Sequence, residues 1–183
     1  MSIVTKTGDR GETGLFGHER TSKSSPRMHA VGTVDELNAS IGVMLADAPL
    51  PDTLKRQLQR IQHLLFVVGA DLATPIDSVG RNKKMRITEN HVGTLERWIE
   101  EYEEKLPPLK TFILPDGSMS GALLHLARTV CRRAERWVVA LKEKELINPQ
   151  CLIFLNRLSD YLFLAARAVN RAEGKEETPV RYE

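Results

Sequence analysis

Five apolar stripes at helical spacing decide what this chain can fold into. Met28, Val31, Val34, Leu37, Ile41 and Met44 step by three and four residues, so six apolar side chains share one helix face. Leu54, Leu58, Ile61, Leu65, Val68 and Leu72 repeat the pattern after Pro51, and Val92, Leu95, Ile99, Tyr102 and Leu106 repeat it before Pro107. Ala127, Val130, Cys131, Ala134, Val138 and Leu141 form a fourth stripe. The fifth segment, CLIFLNRLSDYLFLAARAVNRAEG, is apolar nearly all round in its first half, which calls for a central position.

Local punctuation sets the boundaries. Ser25 suits a cap and Pro26 the first turn. Thr33 with Glu36 has the form of a capping box and offers a rival start, but the apolar spacing begins before Thr33. The second helix should end before Pro75, and residues 75–87 read as a basic surface loop. Thr88 can cap the third helix, which Pro107-Pro108 stops. LKTFILPDGS is an extended apolar piece ending in a turn, after which Ser118 or Ser120 caps a fourth helix running to about Leu146. Asn148-Pro149 opens the fifth helix, Gly174 ends it, and KEETPVRYE is a polar tail.

Five helices, no strands and short connections describe an all-α, up-and-down five-helix bundle. The 183 residues suit one domain: an N-terminal loop over 1–25, the bundle over 26–173 and the tail over 174–183. Net charge of +2 and 5% aromatic residues argue against nucleic acid as a partner. No apolar run reaches a membrane span and no leader precedes the loop, so the expectation is a cytoplasmic protein. Cys131 and Cys151 sit inside apolar stripes and read as buried free thiols, without zinc-ligand spacing.

Bundles build sites from polar residues on facing helices, so misplaced polar groups carry the functional signal. In ARTVCRRAER, Arg128, Arg132, Glu135 and Arg136 form a second stripe beside the apolar one. A solvated face with Glu135 pairing inside the helix is the simpler reading of that spacing. A polyphosphate clamp is the functional one, because guanidinium forks match phosphate oxygens. In NRLSDYLF, Asn156, Ser159, Asp160 and Phe163 share a face. A carboxylate buried there needs an arginine, a metal or water, so Asp160 marks either a site or a structural salt bridge. In GTVDELNASIG, Asp35 and Asn38 lie one turn apart beside Gly32 and Gly42, which fits close helix packing or a plain surface. The opening stretch TKTGDRGETGLFG carries glycines every three residues, with Lys6 and Thr7 ahead of the first and Thr13 between the second and third. Glycine lets backbone N–H groups converge on an anion, yet a loose tail has the same composition.

Together, TKTGDRGETGLFG, GTVDELNASIG, FILPDGS, ARTVCRRAER and NRLSDYLF, in this order and at these separations, resemble the PduO-type ATP:corrinoid adenosyltransferases from Thr5 to about Asn170. The resemblance implies a five-helix bundle that assembles as a homotrimer with sites between subunits. It implies transfer of the 5′-deoxyadenosyl group of ATP to cob(I)alamin, with release of triphosphate. Matched ATP-binding positions are Thr5, Lys6, Thr7, Gly8, Thr13, Gly14 and Lys23, then Arg132, Arg133, Ala134, Glu135 and Arg136, and Asn156. Asp35 and Arg128 match a salt bridge across the subunit interface. Phe112 matches an apolar residue below the corrin, with Asp160 and Phe163 as further corrin-side residues. Asp116 departs from the small residue or glycine that follows FILP in the family.

Cob(I)alamin brings its own nucleophilicity, which agrees with the lack of a Ser-His or Cys-His arrangement. Cations at the triphosphate are then the main lever: Lys23, Arg132, Arg136 and Mg²⁺ carried mainly on the phosphates. Arg132 and Phe112 are the expected catalytic residues, the second by favouring four-coordinate cobalt. A cobalamin-dependent enzyme and a reductase are the implied partners. The rivals are a bundle that only binds ATP or corrinoid, and a purely structural bundle.

Overall fold

The structure is a computed structural model describing residues 3–16, 20–76 and 86–182. Most of the expected basic loop, and Gly17 of the opening stretch, lie outside the described residues. The five expected helices are present: α1 (Pro26–Asp47), α2 (Asp52–Leu72), α3 (Glu89–Glu103), α4 (Met119–Lys142) and α5 (Pro149–Ala172).

The caps explain the boundaries. Ser25 accepts from Met28 N, so α1 starts at Pro26 and not at Thr33. Thr88 N–H donates to Nδ1 of His91 at 3.1 Å at the head of α3. Ser118, rather than Ser120, caps α4 by accepting from Gly121 N. Asn148 accepts from Gln150 N ahead of Pro149. The fourth helix ends at Lys142, short of Leu146, because Leu146 and Ile147 belong to the turn that reverses into α5.

Side-chain pairs fix the directions. Asn38 and Gln62 exchange hydrogen bonds with each other's backbone carbonyls, and Arg27 reaches Leu72 O, so α1 and α2 run antiparallel. Arg133 pairs with Glu36 and His29 stacks on Trp137, which sets α4 antiparallel to α1. Arg157 bonds Glu96 and Arg171 bonds Lys105 O, which sets α3 parallel to α5. The result is an up-down-up-down-up bundle with α5 between α4 and α3 and touching α2. As its apolar run requires, α5 is central: Phe154, Leu155, Leu158, Tyr161 and Leu162 are fully buried. Tyr161 OH donates to Gln57 Oε1 at 2.9 Å, which satisfies a phenol that burial would otherwise penalise. Asp71 accepts from Ile87 N and from Asn148 Nδ2 at 2.6 Å, tying α2 to the start of α5.

Two features depart from expectation. The N-terminal loop contains a hairpin, β1 (Glu12–Gly14) against β2 (Arg20–Ser22), with Thr13 opposite Thr21. Its strands lack apolar alternation, so periodicity gives no sign of them. The polar tail is also docked: Ile113 bridges Pro179, Leu114 N donates to Thr178 O, and Val180 N donates to Phe112 O, both at 2.9 Å.

Candidate active site: an arginine-lined cleft over the fifth helix

A cleft of about 860 Å³ opens where α3 and α4 flank α5. Arg128 and Arg132 line it from α4, and Ser159, Asp160 and Phe163 line it from α5. Helical spacing alone aligns these residues: four-residue steps on α4 and on α5 aim side chains at one groove. Arg128 lies over the Phe163 ring, its guanidinium carbon 5.8 Å from the centroid. His125, one turn before Arg128, faces the same ring with centroids 5.8 Å apart. The Nε of Arg128 is buried and has no hydrogen-bond partner among the described residues, and neither do the ring nitrogens of His125. Burial, then the neighbouring Arg132, pushes the Arg128 pKa down.

Asn156 and Glu135 are not among the cleft-lining residues: Asn156 Nδ2 donates to Glu135 Oε1 at 3.0 Å, and Asn156 Oδ1 accepts at 3.0 Å from Nη1 of Arg157, which does line the cleft. Glu135 therefore bonds across helices, not within α4 as a solvated stripe would have it. Ala134 is fully buried beneath the motif, while Arg132 and Arg136 are exposed and Arg133 is paired with Glu36. Asp160 is exposed and lines the cleft, which corrects the expectation of a buried carboxylate. The apolar run around it is real, but Asp160 occupies the one face of α5 that neither α3 nor α4 covers.

Other expected residues lie apart from the cleft. Phe112 is 76% exposed on the loop before α4 and is not among the cleft-lining residues. Asp35 is exposed on α1 and has no ion pair among the described residues. The N-terminal residues form a cluster of their own. Thr5 and Thr7 hydroxyls lie 3.0 Å apart, Arg20 donates to Thr7 O, and Lys23 N donates to Gly11 O. A side chain at Gly8 would meet Lys23 Nζ at 3.0 Å, so glycine there leaves room for the amine. Lys6 takes a left-handed backbone with φ of 59°, which few lysines adopt. Thr13 and Gly14 lie in β1, and Phe16 N donates to Ala73 O at the end of α2. No hydrogen bond joins Lys6, Thr7 or Lys23 to Arg132, Arg136 or Asn156 of the same chain.

The cleft also contains residues that the sequence reading missed. Arg157 and Arg167 line it from α5, and Glu96, Glu100 and Glu103 from α3. Arg167 carried the same signal that singled out Asp160: a charge inside LAARAVN must have a partner. It has two, Glu177 and Pro107 O. Asp116 causes no distortion of its turn, because the following Gly117 supplies the positive φ of 108°. Among the described residues, no group of three or more His, Cys, Asp or Glu side chains could hold a metal ion.

Several guanidiniums set beside an aromatic and apolar floor can hold a polyanion against a flat, largely apolar partner. An antiparallel helical bundle that builds such a cleft is the class of protein defined here. The sequence model of the cobalamin adenosyltransferase family matches residues 3–169, and the chain belongs to that family. It is 50% identical to a corrinoid adenosyltransferase of Bacillus subtilis over 95% of this chain and 89% of the relative. It is 46% identical to a corrinoid adenosyltransferase of Mus musculus over 96% of this chain and 75% of the relative. Among solved structures, an F112A variant of a PduO-type ATP:corrinoid adenosyltransferase from Lactobacillus reuteri, complexed with cobalamin and ATP, superposes with a TM-score of 0.92 at 42% identity. That match covers 99% of this chain and 100% of the other.

Proposed function

We propose that this chain transfers the 5′-deoxyadenosyl group of ATP to cob(I)alamin, forming adenosylcobalamin and releasing triphosphate. The observation that carries the reading is the convergence of Arg128, Arg132, Asp160 and Phe163 on one cleft in a chain of this family. The ATP and cobalamin bound by the Lactobacillus reuteri neighbour support the same pair of ligands.

Cobalt(I) attacks the ribose 5′ carbon, the C5′–O bond breaks, and its electron pair leaves with the triphosphate. Negative charge grows on the bridging oxygen, so preformed cations stabilise the transition state more than the ground state. Arg132, Arg136 and Lys23 take that role, with Thr5, Lys6, Thr7, Gly8, Thr13 and Gly14 wrapping the phosphates. Mg²⁺ bound with the nucleotide would offset part of the phosphate charge. Glu135 and Asn156 hold each other in position beside the nucleotide. Asp160 and Phe163 face the corrin, and Phe112 occupies its lower face.

The site is completed between subunits of a homotrimer. Two observations support this: among the described residues, Arg128 Nε lacks a hydrogen-bond partner and exposed Asp35 lacks an ion pair. A buried unpaired donor on a charged group costs on the order of 1–3 kcal/mol, which an Asp35 carboxylate from a neighbouring chain would offset. The separation of the Lys6–Lys23 cluster from the arginines of the same chain fits a nucleotide shared by two chains. In this reading residues 1–183 form one cytoplasmic domain that receives electrons from a reductase and supplies a cobalamin-dependent enzyme.

The test is anaerobic mixing with chemically reduced cob(I)alamin and Mg-ATP, following the visible spectrum and triphosphate. Conversion to adenosylcobalamin with equal triphosphate is the expected result. ATP binding without conversion would leave a binding module in its place.

A further inference from the structure

Phe112 presents a mechanical problem. Its ring is 76% exposed, on a loop with no secondary structure of its own apart from one bridge. A ring that must hold its place against a ligand needs a backbone that cannot retreat. The loop from Pro107 to Ser118 is in fact fastened at its start, middle and end by α5 and the tail. At the start, Arg167 Nη2 donates to Pro107 O at 2.8 Å. At the end, Asn170 Nδ2 donates to Asp116 O at 2.9 Å while its Oδ1 accepts from Ser118 N at 2.9 Å. In the middle, Phe112 O accepts from Val180 N and Leu114 N donates to Thr178 O.

The tail that supplies the middle pair is itself held. Arg167 Nε donates to Glu177 Oε1 at 2.5 Å, with the arginine side chain 4% exposed and the glutamate 27%. A buried arginine without that carboxylate would be left with unmet donors, so the pair forms as a unit. One guanidinium thus grips both the start of the Phe112 loop and the strand that pairs with it.

We propose that the segment Glu177–Val180, latched by Arg167, is a positioning element that fixes the backbone of Phe112 and so presents its ring to the lower face of the corrin. This rests on the lower-face reading of Phe112 given above. The segment touches no reacting atom. Its work is to make displacement of the lower cobalt ligand possible, and hence to matter for reduction of cob(II)alamin and not for adenosyl transfer to pre-reduced cobalt.

Two variants remove the latch by different routes. Val180→Pro deletes the N–H that Phe112 O accepts, and Glu177→Gln removes the charge that Arg167 holds. Three readouts follow in the full chain: amide exchange at Leu114, the four-coordinate cob(II)alamin signal with Mg-ATP, and turnover from cob(II)alamin plus reductant against pre-reduced cob(I)alamin. Both variants should exchange Leu114 about tenfold faster, the effect of losing roughly one hydrogen bond. Both should lower the four-coordinate signal and slow the cob(II)alamin route about tenfold, while changing the cob(I)alamin route less than about threefold. Unchanged exchange at Leu114 in both variants overturns the latch. Faster exchange with equal losses by both routes makes the tail a purely structural strand and overturns its positioning role. Phe112→Ala is the control: if it too leaves the four-coordinate signal at the wild-type level, the lower-face reading fails, and the presentation role falls with it.

Discussion

Asn156 on α5 donates to Glu135 on α4 across 3.0 Å, and its amide oxygen accepts from Arg157, which lines the cleft together with Arg132. The amide is oriented from both sides, since its oxygen is taken by Arg157. An oriented amide and carboxylate beside exposed arginines form a preorganised polar wall, which favours developing charge without reorganisation at the moment of reaction.

Arg132→Ala should therefore lose about 100- to 1000-fold in kcat, the usual cost of one charge-stabilising donor. The bundle should remain folded, because Arg132 is exposed and makes no hydrogen bond or ion pair among the described residues. Steady-state kinetics with pre-reduced cob(I)alamin and far-UV circular dichroism check the two halves. Near-normal kcat would remove Arg132 from the chemistry.

Asp35 and Arg128 make a matched pair of incomplete groups, one exposed and one with a buried unpartnered Nε. Asp35→Asn and Arg128→Lys should each weaken assembly or its geometry. Lysine keeps the charge but cannot present the fork. Analytical ultracentrifugation should show a lower mass average for both variants, or unchanged mass with an altered KM for ATP or cobalamin. Wild-type mass and wild-type kinetics in both would dissolve the pair.

Much of the bundle was legible because its determinants are local. Ser25-Pro26, Thr88 and Asn148-Pro149 act within one helical turn, so the sequence states them directly. The hairpin at Glu12–Ser22 and the docked tail were not legible for one shared reason. Both depend on backbone hydrogen bonds between segments whose side chains show no alternating pattern. Asp160 was misjudged as buried because an apolar run does not reveal which face of a central helix its neighbours leave open. The Glu135–Asn156 contact needed the α4–α5 register, which only packing supplies. Arg167 was legible in principle, by the argument already applied to Asp160.

Phe112→Ala should separate the two halves of the reaction. The rate from cob(II)alamin with a reductant should fall far more than the rate from pre-reduced cob(I)alamin, since a four-coordinate cobalt matters only for reduction. Parallel anaerobic assays measure both, and equal losses would argue against the lower-face role. Stability should change little, because the ring is 76% exposed and its removal leaves no cavity.

His125 gives a prediction about pH. Burial, then the charge of Arg128, lowers its pKa below the usual imidazole value, while Asp116 and Glu177 pull weakly the other way. The native state thus keeps His125 neutral at a pH where the unfolded chain has protonated it. The unfolded state then binds more protons, so stability rises with pH through that window. The contribution is present above about pH 6.5, the unfolded value, and is lost as pH falls through the lowered native pKa. His125→Leu removes the titration and also the two unpartnered ring nitrogens. Urea unfolding of both proteins from pH 7.5 to 5 should show the wild type losing stability more steeply below pH 6.5, with the difference between the curves isolating His125 from the other histidines. Parallel curves would mean that burial and the neighbouring guanidinium do not lower the His125 pKa below its unfolded value.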